Sequence, residues 1–312
     1  MIAFIFPGQG SQKVGMGRAL AEAFPVCRDT FAEADAAFGE ALSATIFEGP
    51  EERLTLTENT QPAILAVSTA ACRVLESRGI RPAFVAGHSL GEYSANVAAG
   101  TFALADAVRL VRRRGRYMQE AVPVGEGAMA AILGLDAEKV AEACAAAAAE
   151  LHQVVSPANL NGGGQVAIAG SSAAVALASE KAKALGARRA VPLSVSAPFH
   201  CALMKPAEDR LAPELRALLP SAHDPRIPIV ANVDAQAKRD RTSAIEALVA
   251  QVSSPVLWQA VVERLASEGV TTYVEVGPGT VLGGMVKRIH RDATILSVEK
   301  PEDLEAVERT LA

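Results

Sequence analysis

Apolar residues fall along this chain in two alternating patterns. Short continuous runs at 2–6 (Ile-Ala-Phe-Ile-Phe), 84–86, 227–231, 272–276 and 295–298 read as strands, the first buried on both faces of a parallel sheet. Between them, helical spacing predicts two or three helices over 16–47 and one over 62–78, with Pro62 near its start and Gly79 as its stop. Further helices are predicted over 92–99, 104–120, 202–219, 245–252, 256–267, from about 281, and over 303–311. Pro228 makes the run 227–231 an edge strand or a strand start. The alternation predicts an α/β fold with a mostly parallel sheet flanked by helices, whose sites lie at the carboxyl ends of the strands.

From 125 to 195 the pattern changes. Strands at 129–133, 154–160, 165–169 and 190–193, with helices at 137–151 and 173–185, follow the order β-α-β-β-α-β, that of a ferredoxin-like α+β subdomain. Gly162-Gly163-Gly164 would turn between the middle strands. The chain thus divides into a large α/β domain, 1–124 and 196–312, and a small inserted domain, 125–195.

Candidate chemistry centres on Gly87-His88-Ser89-Leu90-Gly91, between the run 84–86 and the segment 92–99. A serine on a sharp strand-to-helix turn is strained and exposed above the sheet, beside free N–H groups that can stabilise an oxyanion. The alternative is a βα turn with a serine cap. Gly8-Gln9-Gly10 invites a dinucleotide reading, but Lys13 stands where Gly-x-Gly-x-x-Gly needs its third glycine. A flexible loop that brings the Gln9 backbone to a reacting centre fits better. On 104–120, Leu104, Val108, Val111 and Met118 keep helical spacing, and Arg109, Arg112, Arg113, Arg114 and Arg116 fill most other positions. Such crowding usually marks a solvated face, although the five cannot all point one way.

Composition narrows the function classes. Half of the 312 residues are apolar, enough for a sizeable core, and a net charge of −5 without a long basic run argues against nucleic acid or anionic membrane as partner. Cys27, Cys72, Cys144 and Cys201 form no metal or redox spacing and read as reduced cytosolic thiols. The apolar start lacks a basic n-region and stops at Pro7, and no run is long enough to span a bilayer, so neither a signal peptide nor an anchor is expected.

A serine nucleophile needs a base. Of the five histidines, His88 would point away from Ser89, His152 falls in the small domain, and His223 and His290 sit in polar surroundings. His200 lies where the chain returns to the large domain, on a turn fixed by Pro198, and is either that base or a satisfied interdomain histidine.

Phe6-Pro7-Gly8-Gln9-Gly10-Ser11-Gln12, Gly87-His88-Ser89-Leu90-Gly91-Glu92-Tyr93, Arg114-Gly115, Pro198-Phe199-His200-Cys201-Ala202-Leu203-Met204 and Glu275-Val276-Gly277-Pro278-Gly279 stand in the order seen in malonyl-CoA:acyl-carrier-protein transacylases, which the chain resembles throughout. The resemblance implies a hydrolase-like α/β core with a ferredoxin-like insert. It implies Ser89 as nucleophile, His200 as base, the Gln251 backbone carbonyl as the histidine's partner, and an oxyanion hole from the N–H groups of Gln9 and Leu90. Ser254 departs from the family's usual Asn-Pro just beyond Gln251. Arg114 would hold the malonyl carboxylate, Phe199 and Met118 would line the acyl pocket, and Asn161 and Gln165 would fall near the acyl- and pantetheine-facing side.

The activity so implied is malonyl transfer from malonyl-CoA to the phosphopantetheine thiol of acyl carrier protein, in fatty acid biosynthesis or, alternatively, for a polyketide synthase. No metal or redox cofactor is implied, and family members are commonly cytoplasmic monomers. Carrier proteins are acidic, which makes Arg188-Arg189 and Lys287-Arg288 candidate docking points. A serine esterase or thioesterase is the nearest rival, but only His290 could supply its late histidine and no His-Gly-Gly-Gly motif is present. A noncatalytic carrier-binding protein is the second rival.

Overall fold

Strand β1, Ile2–Phe6, lies at the centre of a six-stranded sheet, and its alternate side chains feed two cores. Phe4 and Phe6 join an apolar cluster with the helices Pro25–Phe38, Thr57–Ser77 and Leu104–Glu120, while Ala3 and Ile5 join Trp258, Val261 and Val262 on the other face. This two-sided burial explains why the run is apolar throughout rather than alternating. The computed structural model describes residues 1–195 and 197–311. Ser196 and Ala312, the outer limits of the second large-domain segment expected from sequence, lie outside the described residues.

In chain order the remaining strands are β2 (Phe84–Gly87), β3 (Gly127–Leu133), β4 (Val155–Gly162), β5 (Gln165–Ser171), β6 (Arg189–Pro192), β7 (Ile229–Val230), β8 (Ala237–Lys238), β9 (Thr272–Val276) and β10 (Thr294–Val298). The large sheet has the order β10-β9-β1-β2-β7-β8, parallel except for the β7–β8 pair. The second sheet is antiparallel with the order β4-β5-β3-β6, and the helices Ala137–Leu151 and Ser172–Ala184 pack on it around Ile132, Val140, Ile168 and Ala178. That strand order belongs to a ferredoxin-like unit. Gly162 to Gly164 turn between β4 and β5, all at positive φ.

Several elements differ from the sequence pattern. The helix expected from 62 begins at Thr57 and carries Pro62 inside it, because Asn59 Nδ2 and Thr60 Oγ1 bond the carbonyls of Arg53 and Leu54 and hold the first turn from outside. β7 is shorter than 227–231 and is not an edge. Pro228 precedes it and offers only its carbonyl, to the Val85 N–H, while β8, which the pattern did not reveal, forms the edge. The helix expected from 256 starts at Trp258, since Val256 instead bridges to β4, donating to Ala158 O at 2.8 Å and accepting from Leu160 N at 2.9 Å. The segment 202–219 is a short 3₁₀ turn followed by the helix Lys205–Arg216.

The arginine-rich helix resolves cleanly. Arg109, Arg112, Arg113 and Arg116 pair at the surface with Asp106, Glu40, Glu214 and Glu58. Such exposed pairs are worth about 1 kcal/mol or less each. Arg114 alone turns inward and is 1 % exposed.

Candidate active site

Ser89 sits between β2 and the helix Leu90–Ala99 with φ 52° and ψ −106°, a backbone conformation costing about 1–3 kcal/mol for a non-glycine residue. The neighbouring glycines are what admit the turn. A Cβ at Gly87 would lie 1.9 Å from the Gly91 carbonyl carbon, and one at Gly91 would lie 2.0 Å from Phe6 O. The Ser89 side chain makes no capping bond to the helix, so the reading of a simple cap does not hold. The turn is held instead by Asn232, whose Oδ1 accepts the Ser89 N–H at 2.8 Å and whose Nδ2 donates to Gly87 O at 2.7 Å.

His200 Nε2 is 2.6 Å from Ser89 Oγ, and His200 Nδ1 is 3.0 Å from the Gln251 carbonyl oxygen. A carbonyl can only accept, so Nδ1 carries the proton and Nε2 is free to take one from the serine hydroxyl. Burial, and then the nearby Arg114 charge, push the His200 pKa down to about 3, which keeps the imidazole neutral and available as a base. Ser254 leaves the Gln251 carbonyl well aimed.

Arg114 approaches the same oxygen from the other side. Its Nη2 donates to Ser89 Oγ at 3.1 Å and to Gln251 Oε1 at 2.9 Å, and its Nη1 donates to Gln61 Oε1 at 2.8 Å. The guanidinium carbon lies 5.2 Å from the centre of the Tyr93 ring. Gln251 Nε2 donates to Ser89 O at 2.9 Å and to Glu92 Oε2 at 2.8 Å, and the same Glu92 oxygen accepts the Asn232 N–H at 3.0 Å. Burial raises the Glu92 pKa to about 7, against the lowering by these bonds.

A cleft of about 460 Å³ opens on this group, lined by Gln9, Gln61, Ser89, Leu90, Arg114, Met118, Phe199 and His200. Gly8 brings the first loop close, since a Cβ there would lie 2.4 Å from His88 O. The loop expected to be flexible is tied down by Ser11 Oγ on Gly8 O and by Gln9 Nε2 on Thr57 Oγ1. Among the described residues, neither the Gln9 nor the Leu90 N–H meets an acceptor. A second hollow of about 300 Å³ adjoins, sharing Gln9, Gly10, His88, Asn159 and Leu193 and adding Asn161, Gln165 and Met285. There His88 Nε2 meets Asn161 Oδ1 at 2.9 Å, and Gln165 Oε1 accepts from Arg288 Nη2 at 3.0 Å.

The structure therefore gathers Ser89, His200, Gln251, Gln9, Leu90, Arg114, Met118 and Phe199 around one cleft, with Asn161 and Gln165 in the adjoining hollow. Arg188 and Arg288 approach neighbouring turns of the antiparallel sheet, their side chains against Gly134 and Gly163. Sequence reading missed Gln61, Asn232 and the bonding of the Glu92 and Gln251 side chains. Asn232 lies just past the carboxyl end of β7, the position where α/β folds place functional groups, and could have been found by that rule.

Residues 3–306 match the family described as acyl transferase domain. The chain is similar to a malonyl CoA-acyl carrier protein transacylase of Escherichia coli (strain K12), with 52 % identity over 97 % of both chains. It is 48 % identical to one of Bacillus subtilis (strain 168), over 99 % of this chain and 97 % of that one. A solved acyl carrier protein S-malonyltransferase of Vibrio cholerae O1 biovar eltor superposes with a TM-score of 0.95 at 49 % identity, covering 98 % of this chain and 99 % of that one. A malonyl-transacylase in complex with a type II PKS acyl-carrier protein gives a TM-score of 0.95 at 47 % identity, covering 99 % of each.

Proposed function

The chain belongs to the malonyl CoA-acyl carrier protein transacylase family of acyl transferases, and from that premise we propose that it moves a malonyl group from malonyl-CoA to the phosphopantetheine thiol of acyl carrier protein through an ester on Ser89. The observation that carries the reading is the convergence on one oxygen of a neutral imidazole and a buried guanidinium.

In the first half-reaction Ser89 gives its proton to His200 Nε2 while Oγ attacks the thioester carbonyl. The Gln9 and Leu90 N–H groups hold the oxyanion, each donor worth about 3 kcal/mol in the transition state. The C–S bond then breaks and the imidazolium returns the proton to the CoA thiolate. In the second half-reaction the carrier's thiol gives its proton to His200, its sulfur attacks the ester, and Ser89 leaves with the proton. The thioester brings its own activation, so the balance needs no cofactor.

Arg114 takes the malonyl carboxylate with its planar fork of donors, and Phe199 and Met118 shape the acyl pocket. The hollow lined by Asn161 and Gln165 receives the pantetheine arm. Labelled malonyl-CoA should leave label on the protein, and holo carrier protein should then remove it as malonyl thioester. Rapid release of free malonate without transfer would instead mark a hydrolase.

We place the carrier in fatty acid biosynthesis. A polyketide carrier is the second reading, favoured by the likeness to a transacylase solved with a type II PKS carrier. Arg188, Arg189, Lys287 and Arg288 are proposed to meet the carrier's acidic face. Reversing the charges of Arg188 and Arg189 is expected to raise the apparent KM for carrier about tenfold while leaving the KM for malonyl-CoA in place; an unchanged carrier KM removes that pair. The protein is proposed to work as a cytoplasmic monomer. No helix among the described residues is long and apolar enough to cross a membrane.

A further inference from the structure

We propose that Gln61 and the side chain of Gln251 are specificity-determining positioning residues, which hold Arg114 by neutral amide oxygens so that its charge is left for the carboxylate of the acyl group. The inference rests on the reading that Arg114 receives that carboxylate. Every other arginine of the helix Leu104–Glu120 is paired with an acidic side chain. Arg114, the buried one, is not: its hydrogen bonds among the described residues go to Gln61 Oε1, Gln251 Oε1 and Ser89 Oγ, the neutral Tyr93 ring lies beside it, and its Nε has no partner.

A buried guanidinium needs acceptors to fix its plane, and an acidic side chain would serve geometrically as well as an amide. It would also cancel the charge, so an incoming carboxylate would have to displace it. Glu92 is the nearby acid, but its Oε2 is occupied by Gln251 Nε2 and the Asn232 N–H. Burial raises its pKa to about 7, which withholds part of its charge from Arg114 near neutral pH. Two glutamine oxygens thus orient the fork and leave it cationic.

The two glutamines differ in how they can be tested. Gln251 Nε2 donates to Ser89 O and Glu92, so an acid there would lose both bonds and face Glu92. Gln61 Nε2 has no hydrogen-bond partner among the described residues, so Gln61→Glu exchanges an NH2 for an oxygen without losing one. The change places a negative charge where Gln61 Oε1 now accepts from Arg114.

The experiment compares acyl-enzyme formation from malonyl-CoA and acetyl-CoA, as kcat/KM, in wild type, Gln61→Glu, Gln61→Met and Arg114→Ala, with thermal unfolding to verify that each variant folds. Gln61→Glu is expected to lower the malonyl-to-acetyl ratio about 100-fold, mainly through a higher KM for malonyl-CoA. Gln61→Met, which removes the acceptor without adding charge, is expected to lower it about tenfold and serves if the acid variant does not fold. A ratio within threefold of wild type in the folded glutamine variants, with the ratio lost in Arg114→Ala, overturns the proposal and leaves the carboxylate assignment standing. A ratio retained in Arg114→Ala overturns both.

Discussion

Ser89→Ala is expected to lower kcat/KM for malonyl transfer by about 10⁴-fold or more and to abolish labelled acyl-enzyme altogether, while the affinity for malonyl-CoA changes little. The size follows from the division of labour in the cleft. In the proposed mechanism the Gln9 and Leu90 N–H groups and Arg114 hold the acyl group whether or not a nucleophile is present, so binding is expected to survive. Direct attack by the carrier's thiol would still find His200 as base, yet the thiol would have to reach a carbonyl placed for Oγ. Removing the hydroxyl also removes one acceptor of Arg114 Nη2 and relieves no strain, because the substituted alanine would occupy the same positive-φ backbone. Label retention after acid quench, read by mass at the peptide containing position 89, checks the ester. Transfer at wild-type rate by the alanine variant would rule out a serine ester and leave the residue a structural one.

The chemistry of this site was more legible in the sequence than its support. Ser89 announces itself because only glycines at 87 and 91 let the two chains close to contact, and the ends of that turn are fixed by local spacing. Arg114 carried a signal that its crowded neighbours masked. It follows Val111 by three and precedes Met118 by four, which places it on the apolar stripe with Ala107 and makes it the one arginine the helix must bury. The partner of His200 is a main-chain carbonyl, which any residue at 251 could supply, and so side-chain pattern alone does not point to it.

Gln61 was hidden for a different reason. Its helix starts at Thr57 through bonds from Asn59 and Thr60 to a preceding turn, and a reading that begins the helix at Pro62 leaves Gln61 in a loop. Glu92, in the first turn after Ser89, gains its partners only where the packing of β7 brings Asn232 and the helix Arg241–Gln251 brings Gln251 against it. Long-range partners of this kind, 140 and 159 residues away, leave no local trace.

Arg114→Ala is expected to lower kcat/KM for malonyl-CoA about 10³-fold while acetyl-CoA is accepted as well as, or better than, by wild type. Two effects add. The carboxylate loses a bidentate, buried partner, and its own desolvation then goes uncompensated. Acetyl-CoA, in contrast, leaves the wild-type guanidinium unpaired at 1 % exposure, a penalty that vanishes with the side chain. Arg114→Lys should recover little, because a single ammonium cannot reach Gln61, Gln251 and a carboxylate in one plane.

The same substitution bears on the base. Burial and then the Arg114 charge hold the His200 pKa near 3, well below the ordinary histidine value of about 6.5, so the imidazole of the free enzyme is neutral at every pH above that. The acid limb of kcat/KM that belongs to His200 therefore lies below pH 5 in wild type. With the guanidinium gone, protonation meets less repulsion, and the limb must move toward higher pH, stopping short of 6.5 because burial still opposes the charge. A bound carboxylate does in wild type what the mutation does in the variant, by offsetting the guanidinium just as the imidazolium must form, which lets the correct acyl group strengthen its own base. Measuring kcat/KM for acetyl-CoA between pH 4.5 and 8 in both proteins checks this without the malonyl carboxylate entering. An acid limb at the same pH within this range in both proteins would show that the charge at 114 does not reach the imidazole.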